Sequence, residues 1–313
     1  MKPTVGSTKV DKILSKFSQM YRNDNYISEA ILTPMQVKEK SGKYAQYGKD
    51  NLRAYSDQLY RAPGVRAMSV DYSVSQGSYT CRERAAEKLV PDELMNNQDD
   101  PYDAKRDAVE VIMDNIWTNQ ELALSTTMSD SSILTNYTTL SGTSQWSDYD
   151  NSTPISDIDT GISTMRTAAA IRPNTAVIPF SVWLKLKSHP DIREQLKYTG
   201  VMGNISDDQL TTFLKGYFRL DKVLKGDAVY NSADEGQTDS LADVWGKHFW
   251  LTYSNPKPTL MKATFGYTFT DVSRKVDTYR EEPKVSDVVR VRYSYDQNIM
   301  DANLAYFIEN AIA

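Results

Sequence analysis

Histidine and cysteine are almost missing from this sequence. There are two histidines, His189 and His248, and one cysteine, Cys81, among 313 residues. One thiol forms neither an intramolecular disulfide nor a multi-cysteine zinc site, which fits a reducing cytoplasm. With so little histidine, the commonest general base and metal ligand is scarce. The sequence has no HExxH, no GxxxxGK[ST] and no GxGxxG, so neither a zinc-protease helix nor a phosphate-cradling turn is signalled. Long apolar runs are also absent. Nothing approaches the roughly 18 apolar residues of a transmembrane helix, so no membrane partner is expected, and Met1 to Tyr21 lacks the apolar stretch of a signal peptide. Positive charge is not in excess: 36 Lys and Arg stand against 41 Asp and Glu, a net charge of −5. That balance argues against a dedicated DNA-coating protein, which needs a positive face. No repeat at a period of roughly 20–50 residues is present, which excludes solenoids and propellers.

What is present is an ordinary soluble composition, 40% hydrophobic and 25% charged, with an unusual 20 tyrosines. Tyrosine suits interfaces and half-buried sheets, because its ring packs while its hydroxyl stays satisfied. Many tyrosines and few histidines lean toward assembly and away from enzymology. The length allows one large compound domain or two ordinary ones.

Residues 1–35 read as a polar arm. Val10, Ile13, Leu14 and Phe17 recur at helical spacing, and Thr33-Pro34 ends the pattern. The arm is either a frayed terminus or a clasp on a neighbour. Residues 36–90 are basic and tyrosine-dotted: Lys38, Lys40, Lys43, Lys49, Arg53, Arg61 and Arg66 stand among Tyr44, Tyr47, Tyr55 and Tyr60. Apolar residues are too few here for a separate core. Met68, Val70, Tyr72 and Val74 then alternate with polar residues, the period of a half-buried strand. Gln76-Gly77-Ser78 allows a turn or bulge before Tyr79 to Arg82. A two-stranded excursion is marginal by itself in water, and makes sense when another subunit supports it. A single-stranded nucleic-acid platform would use the same residue types, but the chain is net acidic. Subunit contacts are therefore expected at Tyr44, Tyr47, Arg53, Tyr55, Tyr60 and Arg66.

Residues 100–128 predict a long helix, with Asp100 as N-cap, Pro101 at the first helical position and Asp103 in the first turn. Its stripe is read as Ala108, Val111, Ile112 and Asn115, then Ile116, Asn119 and Ala123. A second helix follows Thr153-Pro154 with Ile158, Ile162, Met165 and Ala169 on one face. TAVIP, 175–179, predicts a buried strand. Ser181 is read as the cap of the next helix, His189-Pro190 opens another carrying Ile192 and Leu196, and a further helix spans 206–215. The stretch 155–260 reads as a compact α/β or α+β unit. Phe265, Tyr267 and Phe269 alternate within a strand over 259–274. The strongest strand signal is 285–295, where Val289, Val291 and Tyr293 share one face and Val288, Arg290 and Arg292 the other. The apolar tail, 303–313, is expected to be tied down.

Nothing assembles a catalytic, cofactor or metal site. Arg82 and Arg84 would lower the thiol pKa of Cys81, but no histidine neighbours it in sequence. His248 lies in KHFW and reads as a packing residue, and His189 as a capping or surface residue. Asp99-Asp100, Asp207-Asp208 and Glu281-Glu282 fall at turns or helix starts, where capping and the helix dipole account for them. One rival from another class is a carboxylate enzyme on 155–260, which requires clustered acids of raised pKa in a pocket.

Four features together resemble the tailed-phage major capsid proteins of the Hong Kong 97-type fold. They are the block RPNTAVIPFSVWLKLKSHPDIREQLKYT at 172–199, the stretch TLSGTSQWSDYDNSTPISDI at 139–158, the late strand KVSDVVRVRYSY at 284–295, and the order of parts. The resemblance implies an α+β shell subunit: an N-terminal arm at 1–35, an extended β-hairpin loop at 36–90, a peripheral domain with a spine helix and long β-sheet beginning at 91–154, an axial domain at 155–260, and a return to the peripheral domain at 261–313. It implies self-assembly as hexamers and pentamers into an icosahedral shell around double-stranded DNA, held without sequence-specific binding, in a virion built in the host cytoplasm. Portal and decoration proteins would be further partners. Only about 35 residues precede the loop, where some members carry a long scaffolding segment, so assembly is expected to use a separate scaffolding protein, or none. Lysines at 38, 40, 43 and 49 could serve the cross-linking that some members perform, although members without cross-links also carry loop lysines. The rival with the same fold is an encapsulin, an enzyme-storing shell.

Overall fold

The computed structural model describes residues 9–10, 14–15, 18, 25–47, 60–61, 63–67, 74–96, 103–198, 205–234, 236–255, 257 and 263–313. In chain order the elements begin with β1 (Lys9–Val10), α1 (Ser28–Ile31), β2 (Thr33–Gln36), β3 (Ser41–Tyr47), β4 (Val74–Thr80), β5 (Arg82–Pro91), α2 (Asp92–Asn96) and α3 (Ala104–Met128). There follow β6 (Tyr137–Thr139), α4 (Pro154–Ala169), β7 (Thr175–Pro179), α5 (Phe180–Ser188), α6 (Pro190–Tyr198) and α7 (Asp207–Phe218). The last are β8 (Lys222–Gly226), β9 (Val229–Asn231), β10 (Leu241–Asp243), β11 (Phe249–Thr252), β12 (Gly266–Glu281), β13 (Ser286–Ile299) and β14 (Ala305–Glu309).

Two sheets organise the chain. The first runs β1-β12-β13-β5, with β2 added in parallel to β12. Its centre is the long antiparallel pair β12 and β13, 16 and 14 residues in length. Period-two patterning puts Val289, Val291, Tyr293 and Tyr295 on one face, where they meet Ala108, Val109, Ile112, Met113, Ile116 and Trp117 of α3. Each such fully buried aliphatic side chain contributes about 1.5–3 kcal/mol. The other face carries charge: Asp277, itself buried, pairs with Arg290 at 3.3 Å and Arg292 at 2.5 Å.

The spine helix α3 differs from its expected form in two ways. Asp103, not Asp100, is the N-cap: its carboxylate accepts from the backbone N–H of Lys105 and Arg106. Asp100 and Pro101 lie outside the described residues. The buried stripe also sits one position away from the expected one. Val111, Asn115, Asn119 and Ala123 form an exposed ridge, while Val109, Met113, Trp117, Gln120, Glu121 and Leu124 are buried beside Ala108, Ile112 and Ile116. One residue is about 100° around a helix. An apolar valine on the wet side and buried Gln120 and Glu121 on the dry side made the two tracks hard to separate by polarity.

The second sheet runs β6-β14-β11-β7-β8. Both faces are covered, so β7 and β11 are buried at every position. One face packs Ile158 and Ile162 of α4, Val182 and Trp183 of α5, Leu196 of α6, and Leu210, Leu214 and Phe218 of α7 against Ile178, Phe249, Leu251, Tyr306 and Ile308. The other packs Leu124 and Met128 of α3, Met165 and Ala169 of α4, and Trp245 against Val177, Trp250 and Phe307. Helix α7 opens with a capping box between Ser206 and Gln209. Ser181 does not cap α5; its hydroxyl donates to the Gly246 carbonyl at 3.1 Å.

The expected segments are redrawn at four points. Val10, expected in a helix, pairs as strand with Asp277, while Leu14, Ser15 and Ser18 are helical; Ile13 and Phe17 lie outside the described residues. β5 leaves the loop for the first sheet, pairing with β13 from Arg82↔Tyr295 to Pro91↔Ser286. β6, expected with the spine helix, joins the second sheet. β14, expected to return with 261–313 to the first sheet, instead lies between β6 and β11. Its sequence AYFI is apolar on both faces, which suits a two-sided interior.

Candidate assembly interface

The hairpin β3–β4 stands off the first sheet. Seven antiparallel pairs join it, from Ser41↔Thr80 to Tyr47↔Val74. Two of those pairs are unusual: Tyr44 faces Gly77 and Tyr79 faces Gly42. Each ring folds flat over the glycine opposite it. A β-carbon at Gly77 would lie 2.3 Å from the Tyr44 ring, and one at Gly42 2.6 Å from the Tyr79 hydroxyl. The flattened rings both stack on Phe269 of β12, at 5.6 Å and 4.5 Å between centroids. Tyr267, Cys81, Met35, Val37 and Met300 complete this small cluster. Polar ties hold the base: Cys81 N–H donates to the Lys40 carbonyl at 2.7 Å, Thr80 N–H to Asp296 at 2.8 Å, and Gln46 Nε2 to the Met300 carbonyl at 2.8 Å. The hairpin therefore has a root on its own chain, while Tyr60 and Arg66, which fall between its strands in sequence, are exposed.

The expected contact residues divide along that line. Tyr44 is buried, and its ring is engaged by Gly77 and Phe269 of its own chain. Tyr47 closes the hairpin ladder opposite Val74. Tyr60, at 85% exposure, and Arg66 stand in solvent. Arg53, Tyr55 and the expected strand residues Met68, Val70 and Tyr72 lie outside the described residues, as does Lys49; Lys38, Lys40 and Lys43 are exposed. Tyr79 and Phe269 were missed as partners of Tyr44, because only strand register shows that two glycines sit opposite two tyrosines. The alternation of Phe265, Tyr267 and Phe269 was the visible signal that this edge of the sheet is aromatic.

The thiol of Cys81 behaves opposite to expectation. Burial, with Asp271 and Asp296 nearby, pushes its pKa up to about 11, and its Sγ donates to the Phe269 carbonyl. Arg84, expected to stabilise a thiolate, instead lies over the Tyr295 ring at 3.9 Å. Asp92, Lys105, Arg280 and Asp287 form an ionic cluster at one end of the first sheet, where hydrogen bonding to Arg280 holds the Asp92 carboxyl below the usual range.

Glu121 is the buried carboxylate that joins the parts. It accepts from the backbone N–H of Ile27 and Ser28, each at 2.9 Å, and from Trp245 Nε1 at 2.8 Å. These bonds link the segment before β2, the spine helix and the second sheet. Burial raises the Glu121 pKa, and the three donors pull against that shift.

The one serine–histidine–aspartate sequence of contacts lacks the polarity of a catalytic triad. His189 Nδ1 accepts from the Asp191 backbone N–H at 3.2 Å. Its proton therefore sits on Nε2, which donates to Ser152 Oγ at 3.0 Å. The Ser152 hydroxyl in turn donates to the Asp148 carbonyl at 2.5 Å. A general base would have to accept from the serine. His189 is fully buried, so it is a cap and a latch, with no surface role. The carboxylate rival fares no better. In the 155–260 unit the acid raised by burial is Asp157, and it accepts from Trp146 Nε1 at 2.8 Å. Among the described residues no group of His, Cys, Asp and Glu could hold a metal ion, and no helix is long and apolar enough to cross a membrane.

No protein-family model matches the chain. The major capsid protein of Burkholderia phage BcepMu is 25% identical over 307 residues, spanning 96% of this chain and 95% of the relative. A phage-related protein from Bordetella bronchiseptica RB50 superimposes with a TM-score of 0.76 at 24% identity, covering 96% of this chain and 97% of that one. A subunit of the mature capsid of bacteriophage PhiM1 matches with a TM-score of 0.56 at 11% identity, covering 93% and 87%. The chain has the Hong Kong 97-type capsid fold. Its likeness to phage major capsid proteins spans nearly the whole chain.

Proposed function

We propose that this chain is the major capsid protein of a tailed double-stranded DNA phage, a structural subunit without catalysis that assembles with copies of itself into an icosahedral shell. The observation that carries the reading is the end-to-end match to a major capsid protein, 96% of this chain against 95% of the relative. The physical design agrees. The hairpin is rooted by three stacked rings, and the sequence between its strands holds too few apolar residues for a separate core. Closed shells need surface patches that repeat under symmetry, and many modest contacts per subunit sum to a strong assembly.

In this reading the first sheet with α3 is the peripheral domain, and the second sheet with α4 to α7 is the axial domain. The hairpin reaches neighbours, with Tyr60 and Arg66 as contact residues, and the same role is assigned to Arg53 and Tyr55. Subunits group as hexamers and pentamers, a separate scaffolding protein assists, and portal and decoration proteins complete a virion assembled in the host cytoplasm. The net charge of −5 suits a container whose DNA must leave again. Electron microscopy of the purified recombinant chain, beside its sizing profile, tests the reading. Closed shells or rings of five or six are expected. A monomer both alone and with the scaffolding protein co-expressed would overturn it. Packaged DNA in the native particle, as against an enclosed enzyme, separates the capsid from an encapsulin.

A further inference from the structure

The second sheet carries two unmatched features on its two opposite faces. On one side, β9 and β10 form a short hairpin over residues 229–243. Val229 and Leu241 share its outer face, Leu241 at 75% exposure, while Tyr230 turns inward to the cluster around Trp245 and Trp250. The surroundings are acidic: residues 227–246 include Asp227, Asp234, Glu235, Asp239 and Asp243 and contain no lysine or arginine. On the other side, α6 and α7 leave an open groove of about 560 Å³ between them. Leu196, Phe213, Gly216 and Tyr217 line it, with Asp208 and Gln209 at one end. Exposed cations stand on the same helices and at the end of α7: Arg193, Lys197, Lys215 and Arg219.

One side thus presents an apolar knob in an acidic stretch, and the other an apolar groove lined by a single charge, Asp208, with the four exposed cations elsewhere on and beside the helices that form it. Neither patch is complementary to itself. Because the hairpin packs on one face of the sheet and α6 and α7 on the opposite face, one subunit cannot bring its own knob to its own groove. A head-to-tail contact between copies needs two different, complementary patches on opposite sides of the subunit, and repeating it about an axis closes a ring. Opposite charges around the contact fix its register and disfavour the reversed pairing. We infer that the β9–β10 hairpin of one subunit, through Leu241, seats in the α6–α7 groove of the next copy in the ring. The inference rests on the shell reading and assigns one of its contacts.

The test uses two single-cysteine additions, Leu241→Cys and Tyr217→Cys, in the otherwise unchanged full chain, whose Cys81 is buried. The two variants are co-expressed, particles are isolated by sedimentation, and a short bis-maleimide is added. Dimers on a denaturing gel are expected from the mixture, and nothing larger, because each chain carries one accessible cysteine. Either variant alone, and Tyr217→Cys mixed with the also exposed Leu94→Cys, should stay monomeric. Particles that form normally but give no dimer beyond these controls would overturn the contact and leave the shell reading standing. Absence of any particles, from the variants and from the unaltered chain alike and with the scaffolding protein co-expressed, would overturn both.

Discussion

The ring of Tyr44 lies on Gly77, the residue paired with it across the hairpin, and the same ring stacks on Phe269 at 5.6 Å. A side chain at position 77 and the flat ring cannot share that space. Gly77→Ala should push the ring off Phe269 and loosen the hairpin root. The expected cost is about 1–3 kcal/mol, the usual range for forcing a methyl into a packed site. Urea denaturation should show the lower midpoint, and limited proteolysis should show faster cleavage within 41–80. An unchanged midpoint would mean that the ring finds an equivalent seat.

The spine helix offers a sharp comparison between two aspartates. Asp103→Ala removes the carboxylate that accepts from Lys105 and Arg106, and should destabilise the chain by about 1 kcal/mol. Asp100→Ala, at a residue that does not cap the helix, should change stability by less than about 0.5 kcal/mol. Equal losses from the two, measured by denaturant midpoint, would return the cap to Asp100.

Both histidines are kept neutral by burial, which lowers their pKa, with Asp191 and Glu309 respectively opposing the shift. In the unfolded chain histidine titrates near 6.5. The unfolded state therefore binds protons that the folded state refuses, so the stability these groups contribute is present above about pH 6.5 and is lost as pH falls below it. His248 also accepts the Asn310 backbone N–H through Nδ1, at 3.1 Å, so its protonation would cost β14 a tie. Unfolding midpoints at pH 7.5 and 5.5 should fall further for the wild-type chain than for His189→Gln or His248→Gln. Equal pH slopes in all three would show that carboxylates alone set the acid response.

Cys81 should be inert while the chain is folded. With its pKa pushed to about 11, almost no thiolate exists at pH 8. A chromogenic disulfide reagent should react with one thiol per chain in denaturant and with almost none in buffer. Rapid reaction of the native protein would mean that the hairpin root opens often.

How much of this was legible beforehand depended on the kind of signal. Strands with strict period two, such as Val289, Val291 and Tyr293, and continuous apolar runs such as TAVIP were legible, because burial on one or two faces writes itself into composition. The spine helix was legible in extent but not in rotation. Buried Glu121 and exposed Val111 broke polarity as a guide, and the three donors that justify Glu121 come from residues about 90 and 120 positions away in sequence. Tyr44 was expected at a subunit contact, yet its ring is buried on a glycine and a phenylalanine of its own chain that only register brings together. Tyr60 and Arg66 are exposed.

The strand order of the second sheet also sets a timetable. Its members come from 137–139, 305–309, 249–252, 175–179 and 222–226, and the strand inserted between β6 and β11 is the last to leave the ribosome. A nascent chain can fold α4 to α7 against three of the strands, but it cannot close the sheet until β14 emerges. Truncated translation products would lack that strand and leave β6 without its pairing partner. A chain that stops short of residue 305 therefore presents an unclosed second sheet, whatever else of it has folded.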